Sequence, residues 1–222
     1  MGKIKIKKND VWIDMTPMSD VMVLLLTFFM LSANFVKNEV VKVVTPASQT
    51  MAKVPSSATL DITIDPEGRV LVATDKTVTM EKALEQMLKE REASLNAEQK
   101  KTFLAQTQIG VPVKNLAQFL DMTHEEQTKV LKSTGIPTDS LQNREDKMSE
   151  FQLWVKAMKS GYKEWYNDLD DAEKGEHANK LEICIKADKA TPYSAVKMVI
   201  AELQDINESR YKLVTQYKKL EE

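Results

Sequence analysis

Cysteine, histidine and glycine are scarce in this chain of 222 residues, and their scarcity limits the classes of protein to which it can belong. Cys184 is the only cysteine and there are 2 histidines, which excludes an internal disulfide and any metal site built from several cysteines. The 6 glycines form no phosphate-binding loop, and neither histidine lies in a zinc-ligand pattern. We therefore expect no enzymatic activity, no metal and no cofactor.

The charges nearly balance, because 31 lysines and arginines stand against 33 aspartates and glutamates and give a net charge of -2. This balance indicates no nucleic-acid partner. The mean hydropathy of -0.37 averages over the whole chain and conceals one apolar segment near the N-terminus. The remaining length is sufficient for a folded domain with its own core.

The apolar segment, residues 11–36, is predicted to be a transmembrane helix. From Pro17 to Val36 a helix spans roughly 30 Å, the thickness of a bilayer's hydrocarbon core. Thr16 can cap the first turn, and the ring of Pro17 is already set to a helical φ. Lysines before the segment place residues 1–10 in the cytoplasm and the rest of the chain beyond the bacterial inner membrane. These lysines are Lys3, Lys5, Lys7 and Lys8.

Asp20 is the one carboxylate in the apolar stretch 16–35. A charged side chain at mid-membrane costs on the order of 2.5–3.5 kcal/mol, so such a residue usually faces a partner or a water-filled path. Asp20, Thr27 and Asn34 recur at the same interval and form a polar stripe on one helix face. We interpret Asp20 as a residue that takes up and releases protons. The alternative is an ion pair with a base on a neighbouring helix.

A cleavable signal peptide is the alternative to a retained helix. The lysine-rich start and an apolar core from Val21 to Leu31 fit that pattern loosely. However, Leu31 stands where a small residue is required, and Pro17 and Asp20 come just ahead of the apolar core. We therefore expect the segment to remain as an anchor.

Beyond the anchor the sequence predicts a tether, a domain and an insert. Residues 37–57 contain two prolines and many small polar residues, which is typical of a tether; a valine-rich stretch, 40–44, could instead pair as a strand. Residues 58–92 and 179–222 have the pattern of a two-layer α/β domain, a mixed sheet with helices on one face. Residues 93–178 between them form a mostly helical insert.

Local patterns predict the elements of the α/β domain. Residues 59–65 alternate between apolar and polar, a type I turn signature follows, and residues 69–73 return as the partner strand. A helical apolar stripe begins at Met80, with Thr79 as its cap. Residues 181–185 form another strand, on which Cys184 is expected to be buried under the helices and inert. A helix then starts at Thr191 with Tyr193 facing inward, and residues 211–214 add a last strand.

The insert contains a capping box at Thr123 and Glu126, which begins a helix through Leu131. Aromatic and apolar residues recur at helical spacing from Phe151 to Trp165, a stripe that is typical of a core. An exposed docking face is the alternative. We expect the insert to be dispensable for folding of the α/β domain.

Three stretches of the sequence resemble one known family. The segment IDMTPMSDVMVLLLTFFML, residues 13–31, is similar to the transmembrane helix of the ExbD/TolR family, whose Pro-x-x-Asp pattern corresponds to Pro17 and Asp20. The segment LEICIKADKATPYSAVKMVIAEL, residues 181–203, resembles the family's strand, Ala-Asp-Lys motif and helix. ATLDITIDPEGRVLV, residues 58–72, is a weaker match to its first periplasmic hairpin. The matching motif residues in the second segment are Ala187, Asp188, Lys189 and Tyr193.

The resemblance implies a subunit of a proton-driven motor in the inner membrane. It does not extend to the insert, residues 93–178, for which we recognise no counterpart in the family. Such proteins form a dimer within a ring, implied to be pentameric, of ExbB/TolQ-like polytopic subunits. Proton flow past the aspartate would drive a motion that reaches a TonB- or TolA-like protein acting on the outer membrane, with peptidoglycan as a further partner. Ton-type transport and Tol-type envelope maintenance both remain open. A non-energised anchored scaffold that binds cell wall or envelope proteins is the alternative function.

Overall fold

The computed structural model describes residues 14–32, 40–48, 57–138, 148–170, 174 and 178–217. Contacts divide the chain into two units, one up to Lys37 and the other from Asn38 onward. The first unit contains helix α1, Thr16–Ser32, in which no residue is buried. Among the helices that the structure describes, none is both long enough and apolar enough to cross a membrane.

The second unit is an α/β domain with a mixed sheet, as the sequence predicts. Its four main strands are β2 Thr59–Ile64, β3 Val70–Thr74, β4 Glu182–Ala187 and β5 Tyr211–Leu213. Their order is β3-β2-β4-β5; β2 is antiparallel to β3 and parallel to β4, which is parallel to β5. Two short strands, β1 Ala47–Ser48 and β6 Gln216–Tyr217, form a separate parallel pair.

Strands β2 and β3 form the predicted hairpin. In its turn the N–H of Gly68 donates to the carbonyl oxygen of Asp65 at 3.0 Å. Gly68 has a φ of 82°, a left-handed conformation that glycine adopts without strain. The alternation along β2 directs Leu60, Ile62 and Ile64 to one face, and each of them is 0% exposed. This face carries the core of the domain.

Six helices that the structure describes belong to this unit. Three of them begin with a capping box. In this motif the side chain of the N-cap residue accepts from the backbone N–H of the residue three positions later, and the side chain of that residue accepts from the backbone N–H of the N-cap. The three are α3, α5 (the predicted box at Thr123) and α6, capped by Ser149. The helices are α2 Thr77–Glu90, α3 Ala97–Ala105, α4 Val113–Leu120, α5 His124–Leu131, α6 Glu150–Asp168 and α7 Tyr193–Asp205.

One continuous cluster of buried apolar residues joins the sheet to helices on both sides of the predicted insert boundary. Within it, Phe151, Trp154 and Tyr162 of α6 are at most 1% exposed, which confirms that the aromatic stripe is core. The rings of Trp154 and Phe103 are stacked with centroids 6.0 Å apart. The helices of the insert therefore complete the core of the α/β domain.

Helices α2 and α6 approach each other closely at Gly161. A side chain at this position would begin 3.0 Å from the Cβ atom of Lys82 and 3.2 Å from the carbonyl oxygen of Thr79. The absence of a Cβ atom thus allows the two backbones to come near each other. This contact places α6 directly against a helix that the sequence assigns to the α/β domain.

Two local predictions are wrong. Helix α2 begins at Thr77 with Lys76 as its N-cap, so Thr79 lies within the helix, buried, and does not cap it. Tyr193 is 76% exposed, although it was expected to face inward. It precedes the buried Val199 by about one and two-thirds helical turns, and therefore lies on another side of α7.

Candidate functional site

Asp20 lies in the second turn of α1, and its side chain is exposed. Among the described residues it has no hydrogen-bond or ion-pair partner. The helix begins at Thr16, whose N–H donates to the carboxylate of Asp14 at 3.0 Å and whose hydroxyl donates to the same oxygen at 2.5 Å. Asp14, which no sequence pattern marks as functional, thus satisfies a backbone donor at the start of the helix that contains Pro17 and Asp20.

Thr27 lies two turns beyond Asp20 in α1. Its hydroxyl donates to the carbonyl oxygens of Val23 and Leu24, each at 2.9 Å. The hydroxyl proton is therefore engaged within the helix, and the oxygen can only accept from a further group. Asn34, the third member of the predicted polar stripe, lies outside the described residues.

The Ala-Asp-Lys motif forms a junction at the carboxyl end of β4. Ala187 pairs with Ile64 of β2, and the carboxylate of Asp188 accepts from the N–H groups of Val44 at 2.7 Å and Ala190 at 2.9 Å. The N–H of Lys189 donates to the carbonyl oxygen of Val44 at 2.9 Å. The motif therefore binds part of segment 37–57, which is predicted to be a tether. Tyr193 takes no part in this junction.

The electrostatics of the junction favour an ionised carboxylate. Hydrogen bonds from the N–H of Ala190 and, next, from that of Val44 hold the pKa of Asp188 below its usual value, because both bonds stabilise the charged form. Beside it, the hydroxyl of Thr191 donates to the carbonyl oxygen of Asp65 at 2.9 Å. Asp65 is itself buried and ion-paired with Arg69. The end of the sheet is thus fixed by charge-assisted bonds.

Gln108 provides a second contact for the same segment. Its buried side-chain amide accepts from the N–H of Val41 at 2.9 Å and donates to the carbonyl oxygen of Val41 at 3.3 Å. The amide therefore satisfies both backbone groups of one residue, as a neighbouring strand would. No sequence pattern marks Gln108, since the contact joins positions 67 residues apart.

Loss of the Asp188 carboxylate should release the segment around Val44. In Asp188→Ala the N–H groups of Val44 and Ala190 lose their acceptor, so amide hydrogen exchange of residues 40–48 should become faster. In Asp188→Asn one oxygen remains, and the effect should be smaller. Glu81→Ala, on an exposed position of α2, is the control. Unchanged exchange in Asp188→Ala would contradict the role assigned to this carboxylate.

The same contact should depend on pH. Because the folded-state pKa of Asp188 is lowered, its contribution to stability is present above the pKa of an unfolded carboxyl, about 4, and is lost as the pH falls through the folded-state pKa. Protection of residues 40–48 in the wild-type protein should accordingly decrease in acid, whereas Asp188→Ala should lack this component.

Cys184 is buried, as expected, and lies on the sheet face opposite to Ile183 and Ile185. Its register neighbours are Asp61 on β2 and Lys212 on β5. Burial, followed by the charges of Asp61 and Glu182, raises the pKa of the thiol to about 11. The reactive thiolate is therefore rare at neutral pH.

The native protein should consequently resist alkylation at Cys184. A rise of two pKa units lowers the thiolate fraction about 100-fold, so N-ethylmaleimide at pH 8 should modify the folded protein at least that much more slowly than the denatured one. The denatured chain serves as the internal control. Comparable rates in both states would show that the thiol is accessible and ionised.

In the part of the chain that the structure describes, no three histidine, cysteine or acidic side chains lie close enough together to hold a metal ion. The candidate functional positions are therefore the single carboxylate of α1 in the first unit and the Asp188 junction in the second.

A model of a known protein family matches nearly the whole chain. The model described as "Biopolymer transport protein ExbD/TolR" matches residues 7–218, a range that includes α1, the whole sheet and the helices between β3 and β4. No curated protein and no solved structure matches the chain significantly.

Proposed function

Because this chain belongs to the ExbD/TolR family of biopolymer transport proteins, we propose that it couples a proton gradient to work in the cell envelope through Asp20. The family implies an energy-coupling subunit of a transport system and a role other than that of an enzyme. The proton step, the site residues and the driven process, outer-membrane transport (Ton-type) or envelope maintenance (Tol-type), are our proposal.

The position of Asp20 is the observation that carries this function. It is a lone carboxylate in an apolar helix, without a partner among the described residues. Moving one elementary charge through 100 mV is worth about 2.3 kcal/mol, which is comparable with the cost of about 2.5–3.5 kcal/mol for an ionised side chain at mid-membrane. A gradient is therefore large enough to change the preferred surroundings of Asp20 as it gains and loses a proton.

The proposal includes a single membrane span over residues 11–36. All the large apolar side chains of α1 are more than half exposed, from Leu25 at 52% to Leu31 at 89%, and such a surface requires apolar surroundings. The described helix would be about 25 Å long, and the apolar sequence continues beyond it. The lysines of residues 1–10 then favour a cytoplasmic N-terminus and a periplasmic α/β domain.

The partners follow from the family. ExbD/TolR proteins work with ExbB/TolQ and with TonB or TolA, so we propose an ExbB/TolQ-like ring around the α1 helices of a dimer. The periplasmic part, residues 37–57 and a domain with its insert at 93–178, would transmit motion to a TonB- or TolA-like protein or to peptidoglycan. In this arrangement the polar stripe with Thr27 and Asn34 lines the path past Asp20.

Proton conduction can be measured directly. The full-length chain and an ExbB/TolQ-like protein are reconstituted together in vesicles that contain a pH-sensitive dye, and a potassium diffusion potential is imposed. We expect acidification only when both proteins are present. An assembled complex that carries no protons at any imposed potential would replace the motor with the anchored-scaffold function.

A further inference from the structure

A basic groove runs between α6 and the residues that precede β4 and β5. Two adjoining cavities of about 720 Å³ and 670 Å³ form it, and they share Lys159, Lys180, Leu181 and Glu208 among their lining residues. One wall belongs to the helical insert and the other to the α/β domain. The groove therefore exists only because α6 packs on this domain.

Within the part of the chain that the structure describes, the groove is lined by more positive than negative side chains, in a protein of negative net charge. Lys159 pairs with Glu208, and Lys212 pairs with Glu182. The remaining cations have no ion pair among the residues that the structure describes, and Asp205 is the only other acidic residue in the lining. These cations are Lys156, Lys163, Lys180 and Arg210.

The lysines are spaced along the length of the groove. Lys156, Lys159 and Lys163 recur at intervals of three and four residues, which places them on one face of α6. Lys156 and Lys163 are about 10 Å apart along the helix axis, a distance that about three residues of an extended peptide cover. Lys180 lies in the lining of the same groove.

The lining between the charges is apolar and amide-rich. Met148, which is 40% exposed, and the half-buried Ile206 provide apolar surface in the lining. Leu181 and Tyr162 are buried behind it, and the hydroxyl of Tyr162 donates to the carbonyl oxygen of Ala178 at 2.6 Å. Asn167, Asn179 and Asn207 add exposed side-chain amides. An amide both donates and accepts, and so matches the alternating groups of a peptide backbone.

We propose that this groove binds an extended acidic segment of a partner protein, with carboxylates against the lysines and apolar side chains on Met148 and Ile206. A uniformly anionic polymer fits less well, because Glu182, Asp205 and Glu208 in the lining would repel it. The proposal goes beyond the proton function and does not involve Asp20, so either can hold without the other.

Binding of a defined peptide tests the groove. The probe is a labelled nonapeptide of three Glu-Val-Ser repeats, added to the full-length protein in a zwitterionic detergent. In an extended polyproline II conformation its carboxylates lie on one side, about 9 Å apart. Peptide anisotropy gives Kd. The test variant is Lys156→Glu/Lys163→Glu/Lys180→Glu, and the control is Lys89→Glu/Lys100→Glu/Lys132→Glu, three exposed lysines outside the groove.

The groove variant should bind the peptide at least about tenfold more weakly than wild type does. Each exposed lysine–glutamate pair contributes modestly to the binding free energy, and the variant turns three of these attractions into repulsions. The control variant, with the same net charge and an unchanged circular dichroism spectrum, should bind within about twofold of wild type. A peptide with Gln in place of Glu should bind as weakly as the groove variant does. Equal loss in both variants, no binding to wild type, or tighter binding of oligogalacturonate than of the peptide would overturn the proposal.

Discussion

Cells whose only copy of this protein carries Asp20→Asn should lose gradient-driven function completely while the complex still assembles. Asparagine keeps the size and polarity of the side chain, so the helix and its neighbours should pack as before. It cannot take up or release a proton, and the change in preferred surroundings that the gradient drives disappears. Because one step of the cycle is absent, the residual rate should be close to that of the deletion strain.

Two further variants make this result specific. Asp20→Glu retains a titratable group but moves it by one methylene, and should retain little activity because the position in the stripe determines the geometry. Thr27→Ala should weaken function only moderately, since its hydroxyl donates to Val23 and Leu24 within its own helix. Gradient-dependent uptake or envelope integrity is measured at matched expression, and assembly is measured by co-purification. Normal uptake by Asp20→Asn would refute the proton role.

Trp154→Ala should lower the free energy of unfolding by about 3–5 kcal/mol and the melting temperature by on the order of 10 °C. The indole ring is 0% exposed and stacks on Phe103, so its removal leaves a cavity that the surrounding helices cannot fill. Because the apolar cluster is continuous from α6 to the sheet, helix and strand signals should disappear in one transition.

Thermal unfolding of the full-length protein, followed by circular dichroism, measures this effect. Trp154→Phe should cost less, since a ring of smaller volume remains, and Tyr193→Ala, at an exposed aromatic position, should change the midpoint very little. A Trp154→Ala protein in which α-helical signal is lost first, with the sheet melting at its wild-type temperature, would show that the insert folds independently.

The sequence predicts several local elements of the α/β domain and of the insert well, because they depend on local patterns. The alternation in 59–65, the turn at Gly68 and the capping box at Thr123 each depend on neighbours within a few residues, and all three are present. The predicted start of α2 is wrong by less than one helical turn, and Tyr193, the first residue of α7, is exposed although the sequence predicts it to face inward. Both errors lie at helix ends, which sequence patterns mark weakly.

Contacts between distant segments were not predictable in this way. The expectation that the insert would be dispensable for folding conflicts with the packing of α6 on α2 at Gly161 and with the shared core. Two contacts depend on tertiary structure alone. Gln108 accepts from the N–H of Val41, and Asp188 accepts from the N–H of Val44. The resemblance of the Ala-Asp-Lys motif selected Asp188, but only the structure identifies what it binds.

The parallel pairing of β2 with β4 has a consequence for how this protein is made. These neighbours are separated by about 120 residues of chain, and a contact order of this kind slows folding far more than it lowers stability. During synthesis at about 5–20 residues per second, β4 follows β2 after roughly ten seconds. Throughout that interval the hairpin of β2 and β3 can form, but the second edge of β2 has no strand beside it, and an open edge invites pairing with other chains. The length of the insert therefore determines how long each new chain is exposed to aggregation before its sheet is complete.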